Sequence, residues 1–230
     1  RAPLLNRAAQ GLYPTGPALF PFLAVSQVDL LLNFPNPEDL LKSSLLTQTC
    51  AFRLGGESTW NALITNGCQE AYRDLISLMD FQSLVSLFEG LGFFEQPDMY
   101  LEVPEAIAPP DVSDPLTAAQ SLRISPLQAA LAAAALTNQG TRPSPRIVNA
   151  YQDPEGNWIT LPKFGSSNQN FLNNQAAAAA ALLKTPETSL WEVTATTETD
   201  EGEKLTWYIS GTTANWQGQP LVIAVLLEKD

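Results

Sequence analysis

The chain has 230 residues, 45% of them hydrophobic, and carries 12 Lys and Arg against 24 Asp and Glu for a net charge of −12. That length and apolar share suit one globular domain with a sizeable core, and the carboxylate excess excludes a nucleic-acid surface or docking on anionic lipid. Histidine is absent, which removes Ser-His-Asp and Cys-His catalysis and every His-containing metal site, leaving Ser-Lys chemistry, carboxylate chemistry or none.

In chain order the first half is predicted helical. LLNRAAQGLY is expected to form a short helix ending near Gly11. A second is expected from Pro17 to Ser26, because proline at a first helical position lacks only an N–H that would be unpaired there. PNPEDLLKS suggests a further short helix. QEAYRDLISLMD and DFQSLVSLFEGLGFF read as a helical hairpin, with Asp80 capping the second member and Gly90 and Gly92 ending it. Residues 96–124 carry Pro97, Pro104, Pro109, Pro110 and Pro115, which excludes a long helix. The plainest helical signal is SPLQAALAAAALTNQG, with Ser125 as cap, Pro126 in the first turn, Gln128 completing a capping box and Gly140 as the stop. Residues 144–162 alternate as a hairpin around DPEGNW, and NNQAAAAAALLKT is a second Ala-rich helix. The end is β: WEVTATTE and LTWYISGTT flank the turn TDEGEK, and QPLVIAVLLEKD closes the chain. Its run Leu221 to Leu227 is apolar at every position, which predicts a strand covered on both faces.

No run approaches the ~18–20 apolar residues of a membrane helix. No signal peptide is visible, and any membrane anchor would lie outside this chain. Two cysteines, Cys50 and Cys68, are too few for a cysteine-rich zinc site, so no metal or cofactor is expected. They can form one disulfide, which suits an extracytoplasmic compartment, or stay as free buried thiols.

Four stretches, in order, resemble the transpeptidase domain of penicillin-binding proteins. LLNRAAQGLYPTGPALFPFLA is similar to the family's LNRAxxGxYPPGSTFKPFxA, and NALITNGCQEAYRDL to its ALxxSCNxxFxxL. SPLQAALAAAALTNQGTRPSPRIV is similar to SPLQxAxxxAxLANxGxxxxPxxV. WEVTATTETDEGEKLTWYISGTT with GQPLVIAVLLEKD resembles the last three strands, GKTGTAE, WFxGxT and PxxAVxLE. The resemblance implies an α+β, β-lactamase-like fold spanning residues 1–230, with a helical part and C-terminal antiparallel strands. It implies β-lactam binding and cross-linking or trimming of peptidoglycan stem peptides. The family's first two strands precede the nucleophile helix and are not in this chain, which is N-terminally truncated relative to the family.

The family's reactive residues are replaced at each motif. Its Ser nucleophile and Lys base stand at i and i+3, on one helix face; these positions are Pro17 and Phe20 here. The S-x-N motif falls on Gly67, Cys68 and Gln69. Cys68 occupies a place where the family often has cysteine, so packing or a disulfide outweighs a catalytic thiol with no base beside it. The K-T-G motif and the threonine after it fall on Val193, Thr194, Ala195 and Thr196. An alternative alignment on Ile209, Ser210 and Gly211 leaves too little chain for two further strands. No serine stands one helical turn from Lys42, Lys163, Lys184, Lys204 or Lys229 on a convincing helix.

The expectation is therefore a catalytically inactive transpeptidase-like domain with a binding or scaffolding role in peptidoglycan metabolism, in the cell envelope. The alternatives are an active penicillin-binding transpeptidase or carboxypeptidase with displaced catalytic residues, and a structural remnant without ligand. Partners would be a stem peptide or a cell-wall protein. The old cleft is expected to be plugged by apolar side chains such as Phe20 and Val193; a reshaped, ligand-binding cleft is the competing expectation. Without the family's first strands, Leu221 to Leu227 would form an apolar edge. Sequence outside this chain, a second copy of it in a homodimer, or a rearranged N-terminal segment would have to cover that edge.

Overall fold

The structure, a computed structural model, describes residues 6–42, 50, 59–97, 99, 104–106, 114–162 and 167–228. The helices are α1 (Arg7–Gln10), α2 (Phe20–Ser26), α3 (Val28–Asn33), α4 (Trp60–Thr65), α5 (Gln69–Ser77), α6 (Phe81–Gly90), α7 (Pro115–Ser121), α8 (Pro126–Thr137) and α9 (Asn173–Leu182). The strands are β1 (Tyr13–Pro14), β2 (Arg123–Ile124), β3 (Thr141–Arg142), β4 (Ala150–Gln152), β5 (Trp158–Thr160), β6 (Asn168–Gln169), β7 (Leu190–Glu198), β8 (Lys204–Thr212) and β9 (Val222–Glu228). β7, β8 and β9 form an antiparallel sheet in that order, and three small antiparallel pairs, β1–β2, β3–β6 and β4–β5, hang on the helical part.

Local chemistry accounts for most helix ends. Asp80 accepts the Ser83 N–H at the start of α6, and Asp114 does the same for Thr117 at α7. Ser125 and Gln128 make the full capping box of α8, and the buried Gln128 amide also donates to Phe93 O. α8 buries Ala129, Ala132, Ala133 and Ala135, so small side chains let it sit close under the sheet and beside α9.

Three elements depart from expectation. The helix expected from Pro17 begins at Phe20, after a 3₁₀ turn over Gly16–Leu19. Pro21 has no N–H to return to the Pro17 carbonyl, so the Phe20 N–H takes that carbonyl in the tighter i to i+3 pattern instead. PNPEDLLKS keeps only a 3₁₀ turn, Pro37–Asp39, and its Ser43 lies outside the described residues. The described part of the proline-rich stretch 96–124 holds no long helix, only the seven-residue α7, started by the cap at Asp114 and Pro115 in the first turn. The last strand is not covered on both faces. Val222, Ala224 and Leu226 face the core, while Leu221, Ile223, Val225 and Leu227 are 58%, 55%, 39% and 62% exposed. An antiparallel sheet needs burial on one side only, and here the helices lie on one side.

The far end of β9 is tied to the N-terminal segment. Arg7 forms an ion pair with Glu228, and the Tyr13 hydroxyl donates to Glu228 Oε1 at 2.7 Å. Burial, and then the Glu228 carboxylate, push the Tyr13 phenol up to about 12 from 10.0. Between those two pH values the unfolded chain releases this proton and the folded chain keeps it, so stability falls as pH rises through the window. Urea midpoints are expected to decline from pH 10 to about 12, and Tyr13→Phe is expected to flatten part of that decline. An unchanged slope in the variant would show that Tyr13 is not the linked group.

Candidate functional site

Three segments meet where the 3₁₀ turn, the α4–α5 junction and β7 come together. The first runs from Pro14 through Phe20. Gly16 adopts φ +50°, and a side chain there would stand 2.9 Å from Thr197 Oγ1, so the turn lies directly on β7. Pro17, Ala18, Leu19 and Phe20 are all buried. Phe20 has no exposed surface and packs edge-on against Tyr72 of α5, with ring centroids 5.9 Å apart.

The second segment is the turn from α4 into α5. Gly67 has φ +55°, and a Cβ added there would lie 2.6 Å from Thr194 O and 2.8 Å from the Ala195 Cβ. Only a residue without a side chain lets this turn touch the strand backbone. Cys68 follows, 1% exposed, and is bonded to Cys50 with a Cα separation of 5.9 Å. Cys68 is therefore not a free thiol in this structure. Gln69 opens α5 and is half-buried. The disulfide joins residues 18 apart in sequence, a loop for which chain entropy gives about 3 kcal/mol. Reduction is expected to lower the melting temperature by about 6–12 °C, read by calorimetry with and without dithiothreitol.

The third segment is β7. Val193 and Ala195 turn inward and are 0% and 1% exposed, opposite Ile209 and Trp207 of β8. Thr194 and Thr196 turn to the exposed face. The sheet is locked by indoles: Trp191 Nε1 donates to Thr137 Oγ1 and Trp207 Nε1 donates to Pro14 O, both at 2.9 Å.

Pro17, Phe20, Gly67, Cys68, Val193 and Ala195 are thus drawn into one region, in which all but the half-buried Gly67 are buried, while Thr194 and Thr196 beside them are exposed. Cavities of about 470 Å³ and about 290 Å³ lie elsewhere, beside Ala224–Glu228 and beside Thr137 and Pro220. No group of three His, Cys, Asp or Glu suited to a metal occurs among the described residues. Lys42 and Lys204 are exposed, and Lys184 follows α9, where its carbonyl accepts from Asn61. Lys163 and Lys229 lie outside the described residues.

Two buried polar groups of this region escaped the sequence reading. Thr15 Oγ1 and the Tyr72 hydroxyl have no hydrogen-bond partner among the described residues. Full burial pushes the Tyr72 phenol well above its ordinary value, so it is a neutral hydroxyl held in hydrocarbon. Tyr72 lies within the quoted NALITNGCQEAYRDL stretch, but nothing in its spacing shows that it will stack on Phe20.

No protein-family model and no curated protein matches the chain. Solved structures do. Penicillin-binding protein A from M. tuberculosis, in its imipenem acyl-enzyme complex, superposes with a TM-score of 0.73 at 21% identity, over 99% of this chain and 58% of that one. The D,D-transpeptidase domain of a peptidoglycan glycosyltransferase from Eggerthella lenta gives 0.74 at 17% identity, over 100% of this chain and 64% of that one. A peptidoglycan glycosyltransferase from Burkholderia ambifaria gives 0.69 at 14% identity, over 100% and 76%. The chain thus spans 58% of the length of the M. tuberculosis protein it matches. With helices packed on one side of an antiparallel sheet and the 3₁₀ turn and the α4–α5 turn converging on β7, this chain has the fold of the penicillin-binding transpeptidase domain.

Proposed function

We propose that this chain is a catalytically inactive transpeptidase-like domain that binds or scaffolds in peptidoglycan metabolism, on the extracytoplasmic side of the cell membrane. The observation that carries it is the make-up of the region where the 3₁₀ turn, Gly67–Gln69 and Val193–Thr196 meet. It contains neither serine nor lysine at those positions, and Phe20, Val193 and Ala195 fill it with hydrocarbon. Acyl transfer by this fold needs a hydroxyl, a base beside it and a cation for the substrate carboxylate, and loss of all three together is hard to reconcile with turnover. Filling the space with apolar groups avoids the desolvation cost of two buried ammonium groups. The disulfide supports an oxidising compartment outside the cytoplasm.

The direct test is incubation with a fluorescent penicillin followed by a denaturing gel. No labelled band is expected, and a covalent band would overturn the inactive reading. Thermal shifts with stem-peptide fragments and intact peptidoglycan then address the binding role: a saturable rise in melting temperature supports it, and none at any concentration leaves a structural remnant.

A further inference from the structure

Asn66 stands directly before Gly67, and this is the one Asn–Gly pair in the 230 residues. In such a pair no side chain screens the backbone nitrogen that follows the asparagine, so that nitrogen can reach the side-chain carbonyl carbon. Both residues are half-buried, so water has access to the α4–α5 turn they form. The turn is closed in a way that withholds this chemistry. Gly67 has φ +55°, its N–H donates to Ile64 O at 3.0 Å, and the Cys68 N–H donates to Leu63 O at 2.9 Å. Those two bonds make the left-handed helix stop that glycine favours. The nitrogen that would attack is therefore already a bound donor. Asn66 has ψ 6°, which eclipses the Gly67 nitrogen with the Asn66 nitrogen, whereas a ring through Cα, Cβ and Cγ needs it turned toward Cβ. The Cys50–Cys68 bond anchors the next residue, and Thr194 and Ala195 press on Gly67 from the strand side. Ring closure has to wait for the turn to open.

We infer that Asn66–Gly67 is a site of spontaneous deamidation, converted whenever the α4–α5 turn opens, and that the fold and the Cys50–Cys68 bond set its rate. The Gly67 nitrogen forms a bond to Asn66 Cγ, and its proton ends on the departing amide, which leaves as ammonia. The five-membered imide that results takes up one water. Breaking the imide bond at Cγ gives aspartate. Breaking it at the main-chain carbonyl gives isoaspartate, with the chain now running through Cβ and Cγ. Water is the only co-reactant.

The isoaspartate product cannot rebuild this turn. An added main-chain atom between Asn66 and Gly67 breaks the register of the bonds to Ile64 O and Leu63 O. A displaced Gly67 also has no room, because a carbon only as far out as a Cβ would stand 2.6 Å from Thr194 O. The new carboxylate adds to a net charge already at −12. Reduction of Cys50–Cys68 loosens the turn, and conversion then keeps it from closing again on β7, so the site is a one-way, redox-gated switch.

Peptide mapping by mass spectrometry tests this on the whole chain, incubated at neutral pH as the oxidised protein, in dithiothreitol and in urea. Position 66 is expected to gain the mass of an amide-to-acid conversion, fastest in urea and roughly a hundredfold more slowly in the folded, oxidised chain. Dithiothreitol is expected to raise the folded rate roughly tenfold, at a temperature where circular dichroism shows the reduced chain still folded. Asn66→Gln is expected to show no gain at that position, because its longer side chain must close a six-membered ring. The isoaspartate protein, separated by ion exchange, is expected to melt about 5 °C or more below the unaltered chain. Asn66→Asp adds the charge without the extra main-chain atom and is expected to melt within about 2 °C of the unaltered chain. Equal rates in the folded and urea-unfolded chain, a folded rate indifferent to dithiothreitol, or an isoaspartate protein that melts with the unaltered chain would each overturn the inference.

Discussion

Phe20→Lys is expected to unfold a large part of the population at room temperature, and not to confer reactivity with penicillin. The resemblance places the family's base at this position, so the substitution restores that base. The ring it removes has no exposed surface and packs on Tyr72. Loss of the ring alone costs about 3–5 kcal/mol in transfer and cavity terms, a large share of the roughly 5–15 kcal/mol that holds a domain folded. The amine adds to that cost. No carboxylate is buried among the described residues, so the lysine must enter the core neutral, with its proton affinity driven down by desolvation. Chemical denaturation gives the stability change and the fluorescent penicillin gives the reactivity. A Phe20→Lys protein as stable as the unaltered chain would mean that the region between the 3₁₀ turn and α5 is open, and the inactive reading would weaken with it. Pro17→Ser, made beside it, separates restored nucleophile from restored base.

Gly67→Ser is expected to cost about 3–5 kcal/mol, from left-handed backbone strain and from overpacking against a strand. It places the family's second-motif hydroxyl back in its position. The Cβ alone would stand 2.6 Å from Thr194 O and 2.8 Å from the Ala195 Cα, and both of those atoms belong to a strand held on its other edge by β8. Relief requires the α4–α5 turn to move away from β7, and the Cys50–Cys68 bond resists that movement from one side. Gly67→Ala isolates the steric part from any effect of the hydroxyl, and the two variants are expected to melt within a few degrees of each other. Calorimetry on both decides it; a melting temperature unchanged in Gly67→Ala would show that the turn does not press on the strand.

These two positions also mark the boundary between local and distant information. The helices with strong end signals were legible: Ser125 with Gln128 at α8, Asp80 at α6 and Gly11 after α1 act within four residues, and a chemist can read them from neighbours. The β7–β8 hairpin followed from the polar turn TDEGEK, and the third strand from the apolar run Leu221 to Leu227. The replacement of serine and lysine at the motif positions is likewise a statement about residue identity. Residues 43–49 and 51–58 lie outside the described residues.

What the amino-acid order determined by itself is most of the elements and the residue types in the motif-like stretches, because caps, turns and side-chain chemistry are properties of near neighbours. Tertiary structure decided the rest. The exposed face of β9 depended on where the helices pack, since an all-apolar run carries no information about which face meets a partner. That Gly67 touches Thr194 and Ala195, and that Phe20 stacks on Tyr72, are contacts between segments dozens of residues apart. Such contacts depend on how the whole chain closes on its core, and no pattern of neighbours encodes them.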